Sequence, residues 1–168
     1  MLLFALAFSA NAAAPWRQVL DERLALYGHR NWIVIADSAY PLQSGPGIET
    51  ILSNESQIDT VRHVLNVLSK DKRVRPVVYL DKELNFVPEE SAIGISAYRQ
   101  LLTGLFTTRQ PVPLPHEDII GMLDKAGKTF NVLIIKTNMT LPYTSVFLEL
   151  RAAYWGDAEE QRLRQTMR

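Results

Sequence analysis

Three histidines and no cysteine limit the side chains of this sequence that can do chemistry near neutral pH. The histidines are His29, His63 and His116, and a neutral imidazole can both accept and return a proton at physiological pH. The absence of cysteine excludes thiolate catalysis, disulfides and cysteine-ligated zinc. His63 falls off the apolar face of its predicted helix, so we expect it at the surface. The candidates for acid/base work are therefore His29, His116 and carboxylates at strand ends.

His29 and Asp37 stand at the two ends of one predicted strand. Residues 32–36 (WIVIA) form an apolar run rich in β-branched side chains, typical of a strand buried on both faces. The carboxyl ends of strands in α/β proteins face the ligand crevice, which favours Asp37 as a ligand-binding residue. An extended segment would hold the two side chains roughly 25 Å apart, at ~3.3 Å per residue, too far to share a site. Either the loop after Gly28 folds back, or a second subunit completes the site.

Each of these polar residues also has an ordinary structural interpretation. Asp37 could cap a following turn, and His116 could cap a helix that begins at Glu117. Tyr143 could be a core residue of a strand. Without further motifs, these structural roles are favoured over functional ones.

Hydrophobic periodicity predicts alternating helices and strands. Helices are predicted over residues 16–27, 58–68, 93–105 and 119–126, and strands over residues 32–36, 76–80, 131–136 and 145–150. Prolines and glycines predict a loop over residues 40–47, and three prolines force extended chain over residues 111–115. This alternation is typical of an α/β fold built in layers.

Length and charge bound the domain organisation and the class of partner. A chain of 168 residues suits one compact domain, which we assign to residues 15–156. Lys and Arg total 18, as do Asp and Glu, so the zero net charge gives no electrostatic reason to expect a nucleic acid or an anionic membrane. The nearly all-polar segment 157–168 is predicted to be either a solvated helix or a frayed tail.

The amino-terminal segment predicts export. Residues 1–14 combine an apolar stretch with a run of alanines that resembles a signal-peptide cleavage site, although no basic residue precedes the stretch. The stretch is shorter than the ~20 apolar residues that span a bilayer, so we expect no membrane anchor. The expected location is the periplasm, or the cytoplasm if this segment is not a signal.

Several motifs, taken in order, resemble those of the D-ribose pyranase and L-fucose mutarotase family. The pair Gly28-His29, followed by residues 33–41 (IVIADSAYP), resembles the family's Gly-His pair, apolar strand, Asp-Ala-Gly and proline. Residues 115–118 (PHED) resemble its Thr-His-Glu segment at a helix start, and residues 134–137 (IIKT) resemble its Ile-Arg-Ser/Thr strand end. Residues 142–148 (PYTSVFL) resemble its Pro-Tyr-Ala-Asn-Ile-Ile-Leu segment. These matches extend over most of the chain.

The resemblance implies a fold, an activity and a set of site residues. The fold would be a three-layer α/β/α arrangement with a mostly parallel central sheet. The activity would be that of an isomerase that interconverts cyclic forms of a monosaccharide such as ribose or fucose, by general acid/base ring opening without metal or cofactor. The family also implies a ring-shaped homo-oligomer with sites between neighbouring chains, which matches the second-subunit alternative. His29 would be the catalytic acid/base, and the sugar would be contacted by Asp37, His116, Lys136, Tyr143, Thr144 and Ser145.

Three departures from the family pattern leave the substrate open. Ala39, Met139 and Ser145 stand where the family has glycine, glutamate and asparagine. A serine hydroxyl reaches less far than an asparagine amide and offers one donor instead of two, so one sugar contact could be lost or bridged by water. An alternative function is therefore a sugar-binding or sensing module of the same fold that has lost turnover.

Overall fold

The apolar run WIVIA forms a central strand of a sheet. In the computed structural model, which describes residues 16–107 and 110–167, all five residues of Trp32–Ala36 are buried. Successive side chains of a strand point to opposite faces, so Ile33 and Ile35 join one apolar cluster while Trp32 and Val34 join another. Helices must therefore cover both faces of the sheet.

Helices and strands are interspersed along the described part of the chain. In chain order they are α1 (Trp16–Leu26), β1 (Trp32–Ala36), β2 (Ile48–Leu52), α2 (Gln57–Lys70), β3 (Val74–Asp81), a 3₁₀ helix (Lys82–Phe86), α3 (Ile95–Gly104), β4 (Val112–Leu114), α4 (His116–Ala126), β5 (Val132–Lys136), β6 (Val146–Ala152) and α5 (Asp157–Thr166). Within this part of the chain, strand follows strand directly only from β1 to β2 and from β5 to β6.

The strands form one sheet in the order β2-β5-β1-β6-β3-β4. β1 pairs in parallel with β5, β5 with β2, and β3 with β4, whereas β6 is antiparallel to both of its neighbours. Five strands therefore share one direction, which confirms the mostly parallel sheet. Their carboxyl ends lie along the same edge as the start of β6. We call this the carboxyl edge and define it by Asp37, Asp81, Lys136 and Ser145.

Two apolar clusters confirm the three-layer arrangement. Helices α1, α2 and α3 cover one face of the sheet, with Leu20, Val64 and Ile95 fully buried. Helix α4 covers the other face through Ile119 and Leu123, which are also fully buried. Burial of these apolar stripes against the sheet is what holds the helices in place.

The edge strands were not predicted as strands, and the last helix is one of the two alternatives left open for its segment. β2 is absent from the prediction because it is an edge strand, half-buried along most of its length, with the mixed sequence IETIL. β4 lies in the segment predicted only as extended, and Pro113 is compatible with its position at the other edge. The polar segment left open between helix and tail forms α5, whose first turn is capped by a Glu159 carboxylate that accepts from the Gly156 N–H.

The predicted signal segment, residues 1–14, lies outside the described residues. α1 begins at Trp16 and ends at Leu26, close to the predicted bounds. Across residues 16–107 and 110–167, no helix is long and apolar enough to cross a membrane.

Candidate active site

Strand pairing gathers the predicted polar residues at the carboxyl edge. The parallel pairing of β1 with β5 places Lys136, the last residue of β5, opposite Ala36, the residue directly before Asp37. β6 lies between β1 and β3, so Ser145, which directly precedes β6, lies between Asp37 and Asp81. Four strands thus contribute to one small surface.

Asp37 is held at this edge by two hydrogen bonds. The Ser145 hydroxyl donates to Asp37 Oδ2 at 3.0 Å, and the Ala39 backbone N–H donates to Asp37 Oδ1 at 2.9 Å. The second bond is the turn-capping role that the sequence also allows. A carboxylate offers about four acceptor positions, so both oxygens can still accept from sugar hydroxyls.

His116 lies against a second, buried carboxylate. His116 is the first residue of α4, and its Nδ1 is 3.1 Å from Oδ1 of Asp81, the last residue of β3. Asp81 is 1% exposed, and burial raises the pKa of this carboxyl group to about 6, although the neighbouring His116 lowers it. The structure therefore places a buried carboxylate with a raised pKa in direct contact with an imidazole.

Tyr143 borders His116 from the turn before β6. The two rings meet edge to face, with centroids 5.8 Å apart. Tyr143 is 40% exposed, which excludes the core role that the sequence left open. Its φ of 57° lies in the left-handed region, which is costly for a tyrosine and is common at ligand-binding sites. The fold thus presents an aromatic face beside the imidazole in a constrained geometry.

Buried hydrogen bonds fix the segment that carries Tyr143 and Ser145. The carbonyl oxygen of Thr144 accepts from Gln57 Nε2 at 2.9 Å and from the Tyr98 hydroxyl at 2.7 Å. The Thr144 hydroxyl donates to the Leu141 carbonyl, and its side chain is fully buried. Thr144 thus lies within the site segment, but its side chain points into the protein interior.

His29 is the one predicted site residue at the opposite end of the sheet. It is exposed in the turn between α1 and β1, and β1 alone separates that turn from Asp37 by roughly 17 Å at ~3.3 Å per residue. His29 lines a cavity of about 520 Å³ that is separate from the carboxyl edge, together with Glu149 and Trp155. The loop after Gly28 does not fold back, so a single chain does not bring His29 to the carboxyl edge.

His63 differs from its predicted surface position. It is half-buried, and its ring meets that of Trp16 edge to face with centroids 5.0 Å apart. Helix α1 packs on a side of α2 that lies outside the apolar stripe of that helix. The resulting burial lowers the pKa of the His63 imidazole. This histidine therefore belongs to helix packing.

The sequence did not single out four residues that build or support the site. Asp81 could have been found, because it directly follows a predicted strand as Asp37 does. Tyr40 has a buried hydroxyl with no hydrogen-bond partner among the described residues, and the charges of Asp81, Asp124 and Asp37 add to burial in raising its pKa. Gln57 and Tyr98 are ordinary helix residues in the sequence, so only the tertiary structure reveals their contacts with Thr144. The described residues contain no cluster of three or more His, Cys, Asp or Glu side chains that could hold a metal ion.

Comparisons with known proteins bear on the fold. No protein-family model matches the chain, and no curated protein matches its sequence. Its structure is similar to that of RbsD from Bacillus subtilis complexed with D-ribose, with a TM-score of 0.54 and 22% identity, over 90% of this chain and 98% of that chain. It is also similar to the fucose mutarotase from Streptococcus pneumoniae in complex with L-fucose, with a TM-score of 0.52 and 21% identity, over 88% of this chain and 98% of that chain. The chain therefore has the α/β fold of these two proteins, as its sequence resemblance predicts.

Proposed function

We propose that this protein binds a monosaccharide at the carboxyl edge and interconverts the cyclic forms of that sugar. The observation that carries the proposal is the contact of Asp37 with Ser145, and of His116 with Tyr143, at the strand ends of a fold shared with two sugar-complexed proteins. Fold alone does not determine activity, so the support must come from the chemistry of these groups.

The residues of the edge suit a polyhydroxylated ring. The Asp37 carboxylate can accept from two vicinal hydroxyls, and the exposed Tyr143 ring offers an apolar face with a polar tip. Lys136 supplies a cationic donor at the end of β5. Ser145 and the backbone around Thr144 complete the predicted contacts.

The reaction requires only the movement of protons. A base removes the proton of the anomeric hydroxyl while the bond from C1 to the ring oxygen breaks and that oxygen gains a proton. The resulting aldehyde rotates about C1–C2. A hydroxyl oxygen then attacks C1 and gives up its proton to the base, while the aldehyde oxygen gains a proton and becomes the new anomeric hydroxyl. We assign the acid/base role to His29, with His116 as the second group able to orient the sugar or protonate it.

His29 can take this role only if it comes from a neighbouring copy of the chain. Because β1 separates His29 from Asp37, a head-to-tail contact between copies would bring His29 of one copy to the carboxyl edge of the next. We therefore propose a ring-like homo-oligomer with sites between subunits. We further propose that the protein acts in the periplasm, where it would speed the supply of one ring form to transport or metabolism.

Saturation-transfer NMR between the ring forms of ribose, fucose and other monosaccharides tests the activity. We expect exchange well above the uncatalysed rate for at least one sugar, and loss of that enhancement in His29→Ala, Asp37→Ala and His116→Ala. His63→Gln is the matched control, since this histidine belongs to helix packing, and it should keep the enhancement. Absence of enhancement for every sugar in the panel would refute the proposed reaction.

Mixing two inactive variants tests the intersubunit site. His29→Ala and Asp37→Ala chains that are unfolded together and reassembled should recover activity in about a quarter of the sites. A site is active only when an Asp37→Ala chain supplies its His29 and a His29→Ala chain supplies its Asp37, and each condition is met in about half of the cases. Either variant reassembled alone should stay inactive. Failure to recover activity in mixed oligomers of native size would contradict a site shared between copies.

A sugar-binding module without turnover is the second candidate function. It is favoured by the exposed position of His29, far from the edge in each chain, and by the Ser145 hydroxyl, which stands where the family has an asparagine amide. Calorimetric binding of a sugar by a protein that does not accelerate its exchange would support this alternative over catalysis.

A further inference from the structure

A buried carboxylate and an imidazole face each other at the carboxyl edge. Asp81 directly precedes the 3₁₀ helix, yet its side chain makes no capping hydrogen bond. Its Oδ1 and the Nδ1 of His116 are both buried, and neither has a hydrogen bond of standard geometry with any residue in the described part of the chain. The two atoms lie 3.1 Å apart, so each is positioned to become the partner of the other.

We propose that Asp81 is a positioning residue that fixes the Nδ1–H tautomer and the ring orientation of His116, so that Nε2 is the nitrogen offered to the sugar. The proposal rests on the proposed function, because it takes His116 as a group that contacts the sugar. The Nδ1 atom is buried while 32% of the His116 side chain is exposed, so the exposed part of the ring lies away from Asp81. A carboxylate that accepts from one ring N–H leaves the other nitrogen with a free lone pair.

The segment that contains Asp81 holds His116 at two points. Two residues after Asp81, both carboxylate oxygens of Glu83 accept from the backbone N–H of His116 at 3.1 Å. The Tyr143 ring borders the imidazole. The backbone and the ring of His116 are thus both constrained. Asp81 can therefore fix the orientation of the imidazole as a binding or catalytic group.

The distance of 3.1 Å between Asp81 Oδ1 and His116 Nδ1 lets a small realignment form the hydrogen bond. Hydrogen bonds at catalytic sites are often long or poorly aligned before substrate binds and tighten in the complex. Because burial raises the pKa of Asp81 to about 6, the carboxyl group is ionised and acts only as an acceptor at pH 8.

Long-range proton–nitrogen NMR correlations at pH 8 identify which imidazole nitrogen carries the proton. With three histidines in the chain, the His116 signals can be assigned with the His29→Ala and His63→Gln variants. We expect wild-type His116 in the Nδ1–H form. Asp81→Leu, which keeps a branched side chain but removes the acceptor, should shift His116 towards the Nε2–H form. Asp81→Asn, which retains a carbonyl acceptor, should largely keep the wild-type form.

The same variants are compared for sugar exchange and for sugar affinity. The maximal exchange rate should fall by about 10- to 100-fold in Asp81→Leu, a part of the ~10²–10⁴-fold that acid/base groups contribute, and Asp81→Asn should partly restore it. Sugar affinity measured by calorimetry should change less than the rate. An Nε2–H tautomer in the wild-type protein, or a rate loss in Asp81→Leu without a change of the His116 tautomer, would overturn the proposal, and the wild-type measurement decides even if Asp81→Leu fails to fold. Absence of exchange in the wild-type protein would instead refute the proposed function, and the tautomer would still test the contact.

Discussion

Replacing Asp81 by asparagine should stabilise the protein at neutral pH. Burial raises the pKa of Asp81 from 3.8 to about 6, so the folded protein disfavours the ionised carboxylate. At about 1.4 kcal/mol per pH unit, this difference corresponds to about 3 kcal/mol lost from the free energy of unfolding once the group is ionised. Asparagine is nearly isosteric and cannot ionise, so Asp81→Asn should avoid this loss.

The direction of the pH dependence follows from proton binding. Between about pH 4 and pH 6 the folded state holds a proton on Asp81 that the unfolded state has already released, so stability falls as pH rises through this window. Below the window, wild type and Asp81→Asn should be nearly equal in stability. Above it, the variant should be more stable by up to about 3 kcal/mol. Denaturant unfolding from pH 4 to pH 8, at fixed protein concentration because assembly would add to stability, measures the difference.

An exposed aspartate supplies the control. Asp21 lies on the solvent side of α1, so Asp21→Asn should give a small difference from wild type that varies little with pH. A constant difference between Asp81→Asn and wild type across the pH range would refute the assignment of Asp81 as a buried group that ionises near neutral pH. A variant less stable than wild type at pH 8 would show that the contact with His116 outweighs the cost of burying the carboxylate.

Three further substitutions test the packing that positions the site. Gly47→Ala would place its Cβ 2.2 Å from the Phe130 carbonyl oxygen, and we expect a loss of about 1–3 kcal/mol in denaturant unfolding; a neutral result would contradict this close approach. Phe147→Ala removes a fully buried ring from the centre of the sheet and should cost about 3–5 kcal/mol, or abolish folding, whereas a cost below 1 kcal/mol would argue against its burial. Tyr98→Phe removes a donor to the Thr144 carbonyl and should lower the free energy of unfolding by about 1 kcal/mol and also lower the sugar exchange rate. An unchanged exchange rate would show that this hydrogen bond does not position the site.

The central elements were predictable because they are buried on both faces or along a clear stripe. The run WIVIA and the strand over residues 132–136 are continuous apolar segments, and α2 shows a regular apolar stripe. The edge strands carry weaker signals, since β2 is only half-buried and β4 contains a proline. Pairing order depends on contacts between residues far apart in the chain, so periodicity could not give the position of β6 between β1 and β3.

The site was predictable where a residue ends a strand or lies in a motif. Asp37 and Lys136 could be placed at one edge because each stands at the end of a predicted strand, and the His29 to Asp37 separation followed from strand length alone. Ser145 stands at the start of a predicted strand and was found only through the motif of residues 142–148. Gln57 reaches the site through three hydrogen bonds to different parts of the edge, yet in the sequence it is a polar residue at a helix start. Such contacts depend on the packing of α2 against the sheet, which no local pattern encodes.

Asp81 links the stability of this fold to the function that we propose for it. A buried carboxylate that lowers stability at neutral pH is expected to persist only where it contributes something else, because a neutral residue of the same shape would be more stable. Its contact with His116 provides that contribution if the imidazole must present one particular nitrogen to a sugar. Asp81→Asn is therefore expected to be more stable and slower in sugar exchange than wild type. A variant that is both more stable and fully active would remove the physical reason for an aspartate at this position.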